Sequence, residues 1–140
     1  MKENNAMQLS LPDAAPLAAA AIARWMLAFN ARNIDEIVSL YAPDASIHGT
    51  TYGVLAIGSD AIHSYFGGAF RSGVSVKLTS TGVTIRSGDI LLSAGHYEFS
   101  GTGSDGTAYV TPARFTFVLG KMSDVWLIVH HHSSTASASR

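Results

Sequence analysis

Over residues 14–70 apolar side chains recur at intervals of three and four, and from Val74 onward they recur at every second position. The first period lines one face of a helix and the second one face of a strand, so a helical part precedes a sheet. Ala18, Ile22, Trp25 and Phe29 mark the inward face of a helix that Asp13 caps, that tolerates Pro16 in its first turn and that runs to about Asn30. Asn33 and Glu36 have capping-box spacing at the head of a second, short helix with Ile34, Ile37, Val38 and Tyr41 on one side and Pro43 as its end. Residues 44–49 predict a short strand and 50–58 an irregular connection. Ser59 and Asp60 then start a third helix, whose buried side is Ile62, Tyr65, Phe66 and Phe70. Gly67 and Gly68 each cost about 1 kcal/mol inside a helix, which predicts either a break there or another backbone packed close.

The later period predicts strands over about 74–86, 90–101, 107–119 and 125–133, separated by Ser87-Gly88-Asp89, Gly103-Ser-Asp-Gly106 and Gly120 to Asp124. Short turns between long strands make an antiparallel meander. Helices followed by a meander give an α+β layout with the helices on one side of a bent sheet. At 140 residues the chain suits one domain, placed at 13–135, with a loose N-terminus over 1–12 and a mobile Ser/Ala-rich end over 136–140.

Composition narrows the partners. Hydrophobic residues make up 47% and charged residues 14%, which predicts that a second copy covers part of the surface. Nine basic residues against ten acidic ones, with no basic run, argue against nucleic acid. Arg24 interrupts the apolar stretch from Leu17 to Phe29, so no membrane span is predicted. The absence of cysteine excludes disulfides and thiolate sites and fits a cytoplasmic protein.

Candidate chemistry concentrates in Trp126-Leu-Ile-Val-His-His-His-Ser-Ser134, which holds half of the six histidines. Strand alternation groups Trp126, Ile128, His130 and His132 on one face and Leu127, Val129, His131 and Ser133 on the other. His130 and His132, about 6–7 Å apart, could share a metal with His48 or His96. No recognised metal spacing accompanies them, so neither metal nor cofactor is assigned, and His130 and His132 are expected to serve packing or a partner copy. His131 is the first candidate acid, base or ligand contact. Glu98 is the alternative base, since burial raises a carboxyl into the useful range, although alternation with Tyr97 inside makes it an outer-face or interface charge. Arg114 lies in a half-buried strand, where a charge needs a ligand or an ion-pair partner. Trp25, Phe29 and Tyr65 read as cavity lining or as plain core.

Leu40-Tyr-Ala-Pro-Asp-Ala45, Gly58-Ser-Asp-Ala-Ile-His-Ser-Tyr-Phe66, Ala113-Arg-Phe-Thr-Phe-Val118 and the 126–134 segment together resemble the NTF2-like superfamily, which includes ketosteroid isomerases and polyketide cyclases. The last two patterns are most similar to the bacterial branch related to the association domain of calcium/calmodulin-dependent protein kinase II. The resemblance implies a cone with a deep pocket at its wide end and assembly through the outer sheet face into dimers or rings. In the kinase association domain that pocket is rich in arginine and accepts small carboxylates; Arg114 matches one of its arginines, while Tyr97 and Ser133 fall where two others stand. The resulting expectation is a homo-oligomeric domain holding a small anionic or polar organic molecule among Arg114, Tyr97, His131 and Ser133. Two alternatives accompany it: an isomerase, cyclase or dehydratase using His131 or Glu98, and an oligomerisation module without ligand.

Overall fold

In the computed structural model, which describes residues 13–137, helix α1 (Ala14–Asn30) turns Ala18, Ile22, Trp25 and Phe29 inward as predicted, each at most 3% exposed. The expected loose N-terminus and residues 138–140 of the tail lie outside the described residues. Asp13 makes no side-chain cap bond to α1 and instead pairs with Arg86. The chain leaves α1 through Arg32 in the left-handed region (φ 55°). Asn33 then caps α2 (Ile34–Ser39), its Oδ1 accepting from the Glu36 N–H at 3.1 Å. Helix α3 (Ser59–Arg71) runs unbroken through Gly67 and Gly68, and the atoms nearest to both are those of the Arg71 guanidinium. Among the described residues neither the expected break nor a close backbone is found.

The strands are β1 (Tyr41–His48), β2 (Ala56–Ile57), β3 (Ser75–Ser87), β4 (Ile90–Thr102), β5 (Ala108–Met122) and β6 (Val125–Thr135). They form one sheet in the order β2-β1-β6-β5-β4-β3, antiparallel throughout except that β1 runs parallel to β6. The meander matches expectation. β1 begins earlier than predicted, because Pro43 does not stop it. The register of β1 on β6 shifts between Tyr41 and Ser46, and a proline lacking an N–H is tolerated in that irregular stretch. The β5–β6 loop is shorter than predicted: Ser123 and Asp124 both take positive φ (50° and 67°), as a two-residue type I′ hairpin requires.

Register shifts bend the sheet. Two lie in β3 beside Ser80, where a Cβ on Gly95 would stand 2.4 Å from the Ser80 carbonyl oxygen, so only glycine lets the strands close there. In β6, Leu119 pairs with Ile128 and Val118 with His130, which leaves Val129 as an extra residue. This bulge corrects the simple alternation: Ile128 and His131 face the same side and are both buried (3% and 1%). Helix α1 packs on β3 and β4, and α3 on β1 and β2, closing the concave face. Between them Trp25 stacks on Tyr97 at 5.8 Å and meets Phe117 edge-on at 5.5 Å.

Candidate functional site

The concave face holds a file of polar groups that the sheet register lines up. Ser93, Phe117, His131 and Ile47 form one cross-strand row, and Gly95, Phe115 and Ser133 the next. His131 sits against Phe117, ring centroids 4.1 Å apart and nearly parallel. Its Nδ1 lies 2.9 Å from the Tyr41 hydroxyl and its Nε2 3.1 Å from that of Tyr97. Trp25 donates from Nε1 to the Tyr41 oxygen at 3.0 Å, and Tyr97 donates to Ser133 Oγ at 2.6 Å. Ser133 in turn lies 2.5 Å from Thr50 Oγ1.

Proton counting fixes the direction of this chain. The Tyr97 proton goes to Ser133, so His131 must donate to Tyr97 from Nε2. Nδ1 is then the acceptor, and Tyr41, which already accepts from Trp25, donates to it. His131 is therefore a neutral imidazole carrying its proton on Nε2. Burial gives the same result, since desolvation first, and the neighbouring His130 and His132 after it, bring its pKa down to about 3. Burial likewise pushes the hydroxyls of Tyr41 and Tyr97 well above the usual phenol range. Ser133 and Thr50 share the next hydrogen bond, which brings the series to Thr50. Tyr65, whose pKa burial also raises, lines the same cavity as Thr50. Its ring lies directly over Gly49, where a Cβ would stand 2.1 Å from the ring.

Thr50 and Tyr65 open onto a cavity of about 570 Å³. Its aromatic walls are Phe29 from α1, Tyr52, Tyr65, Phe99 from β4 and Tyr109 from β5. Arg71, at the end of α3, is the one charged side chain among its described lining residues, and the bare Gly68 keeps the wall low beneath the guanidinium. A cavity of this size, apolar with a few convergent polar groups, suits a small organic molecule.

Of the residues expected at the site, Phe29 and Tyr65 line the cavity. Tyr97, His131 and Ser133 lie behind it as the buried chain that reaches it through Thr50. Trp25 is core, 1% exposed, and joins through Nε1 alone. Arg114 is a correction. Tyr97 and Ala113 are paired residues and face inward, so Arg114 projects from the opposite face, exposed, with Nε 3.0 Å from Ser134 Oγ. Glu98 takes the outer-face place that alternation gave it, 3.4 Å from Lys77 on the neighbouring strand, and the alternative of a cavity base is corrected. His131 is enclosed with both nitrogens engaged, so it has no direct contact with a cavity ligand. The sequence reading missed Thr50, Tyr52, Arg71, Phe99, Tyr109 and Thr111. The length of the 50–58 connection was the available signal, because long connections often build sites.

On the outer face the structure groups the histidines with one of the two third partners named from the sequence. His130 and His132 project there, opposite to His131, as read from the sequence. His48 joins them across the parallel β1–β6 pairing, so a three-histidine group does form. Desolvation, with His48 and His132 nearby, lowers the pKa of His130.

Among the described residues no helix is long and apolar enough to cross a membrane. A family model for the SnoaL-like domain matches residues 18–138. The sequence has no match among curated proteins. Among solved structures, a Xanthomonas campestris protein of the calcium/calmodulin dependent protein kinase II association-domain type superposes with TM-score 0.81 at 27% identity, over 99% of this chain and 100% of its own. A ketosteroid isomerase-like protein from Erwinia carotovora atroseptica gives 0.74 at 19%, covering 92% of this chain and 100% of its own. A protein of Streptomyces avermitilis assigned as a dehydratase of the NTF2-like family gives 0.76 at 17%, covering 91% and 100%. These last two bear on the fold, an NTF2-like cone, and not on activity.

Proposed function

Because the chain belongs to the SnoaL-like domain family, we propose that it binds a small, largely apolar molecule carrying a carboxylate or another hydrogen-bond acceptor in the cavity between α1, α3 and the mouth of the sheet. The observation that carries this reading is the lining: aromatic rings, hydroxyls and one guanidinium, with no carboxylate among the described lining residues. Such a surface favours an anionic or acceptor group over a cation. The proton series supports it too. Thr50, where the series meets the cavity, and Tyr65 beside it in the lining offer hydroxyls to an acceptor on the ligand.

A second reading, an acid–base enzyme, draws on the same series, because hydrogen bonds link the cavity to a neutral imidazole that can relay a proton. One experiment addresses both. A panel of aromatic and alicyclic monocarboxylates and their neutral analogues is screened by thermal shift, since a ligand that binds only the folded protein raises Tm. Carboxylates are expected to raise it, and Arg71→Gln to weaken their binding about tenfold or more while sparing neutral analogues. A panel with no effect on the wild type, or an Arg71→Gln variant that binds carboxylates equally well, removes the binding reading. If a binder is also turned over, Tyr97→Phe, which interrupts the series, should stop turnover and leave affinity intact. Self-association through the outer sheet face belongs to the same proposal.

A further inference from the structure

The outer face carries a cluster that the cavity does not use. In the parallel pairing of β1 on β6, His48 stands opposite His132 and Ser46 opposite His130. His48, His130 and His132 each offer a ring nitrogen, and the three atoms lie within 4.8 Å of one another. The His48 ring meets those of His132 and His130 edge-on, with centroids 5.2 and 5.9 Å apart. The Ser46 hydroxyl, 2.8 Å from Nδ1 of His130, orients that ring from behind. His48 and His132 are exposed and His130 is half-buried, so an ion reaches the group from solvent.

We propose that His48, His130 and His132 bind one divalent transition-metal ion per chain, of the zinc class, with the fourth position left to water or an anion. Three imidazoles select zinc, copper, nickel or cobalt over calcium and magnesium, which prefer oxygen ligands. A tetrahedral zinc with bonds of about 2.0–2.1 Å holds its ligand nitrogens about 3.4 Å apart. The present spacing, within 4.8 Å, is wider than that, so binding draws the three rings together. Three features make this more than a chance crowding of imidazoles. The ligands sit on two paired strands, which fixes their backbones. A hydroxyl already holds one ring, as partners behind metal-bound histidines do. Space for a fourth ligand adjoins the group, because His132 also borders an outer groove of about 590 Å³ lined by Arg114, Thr116 and Ser134.

The test uses untagged full-length protein stripped with chelator and then titrated with zinc by calorimetry, with cobalt absorption as a report of geometry. The expected result is one ion per chain and cobalt bands of tetrahedral intensity. Affinity should fall about 100-fold or more in His48→Ala and in His132→Ala, and about tenfold in Ser46→Ala. His96→Ala, an exposed histidine outside the group, should bind as the wild type does. Circular dichroism confirms folding, and both deleted ligands are exposed. Weaker than stoichiometric binding, half an ion per chain, or affinities within twofold of wild type in both histidine variants would overturn the proposal. Cavity ligands play no part in these readouts, so the outcome is independent of the reading above.

Discussion

A neutral imidazole can sit at the centre of a protein when both nitrogens are engaged, and His131 meets that condition through Tyr41 and Tyr97. The groups facing it are Trp25 from α1, Tyr41 from β1, Tyr97 from β4 and Phe117 from β5, none of them charged at neutral pH. A proton added to the folded state therefore has no partner, whereas the unfolded imidazole takes one near its ordinary pKa of 6.5. Between pH 6.5 and about 3 the unfolded chain binds more protons, so this residue makes stability rise with pH. Its contribution is complete above 6.5 and is lost as the pH falls toward 3, with a limiting slope of about 1.4 kcal/mol per unit. Urea denaturation across that range, compared between wild type and His131→Gln to cancel the carboxylates, should show a shallower slope in the variant; equal slopes would mean that His131 titrates normally. Alternation separated His131 and Ser133 from His130 and His132, since it holds locally over 130–134, and the family resemblance chose which pair faces inward. Arg114 was misplaced for a definable reason: a motif match carries a residue's identity but not its strand register, and the pairing of Tyr97 with Ala113 decides which way Arg114 points.

At the scale of elements, the helix faces and the meander were legible because apolar period and turn residues agreed along most of the chain. What escaped was local departure from the period: the Val129 bulge, the early start of β1 through Pro43, and β2 inside the connection. Each is decided by contacts between segments distant in sequence. The seat of α3 on the end of β1 is a further case. The Tyr65 ring covers Gly49 and is held by Tyr52 at 5.3 Å and Phe66 at 5.0 Å, so it has little room to yield. Gly49→Ala should displace the ring or lift α3, at a cost of about 1–3 kcal/mol, and should weaken any cavity ligand. Gly53→Ala is the matched control, since nothing lies within 4 Å of a Cβ there. Equal denaturation midpoints for the two variants would mean that the contact is soft.

At the scale of the whole molecule, the order of the sheet brings together residues that no period connects. Parallel pairing of the first strand with the last sets His48 beside His132, and antiparallel pairing continues the same rows across the outer face. One row runs Ile85, Leu92, Val118, His130, Ser46, and the next Val83, Ala94, Thr116, His132, His48. Among the described residues no helix covers the apolar half of these rows, because α1 and α3 pack on the concave side. Val83 remains 50% exposed. An apolar sheet face left open to water is the feature from which a second copy gains most, and the low charge of the chain, 14%, points the same way. A two-fold pairing would lay row against row, with the histidines toward the margin of the patch. Sedimentation velocity should find the wild type as a dimer or larger at micromolar concentration. Leu92→Lys, which places a charge at the centre of the patch, should sediment as a monomer with an unchanged circular dichroism spectrum, because its side chain stands away from the core. A monomeric wild type would sink the idea, and so would a Leu92→Lys variant that associates as strongly as its parent.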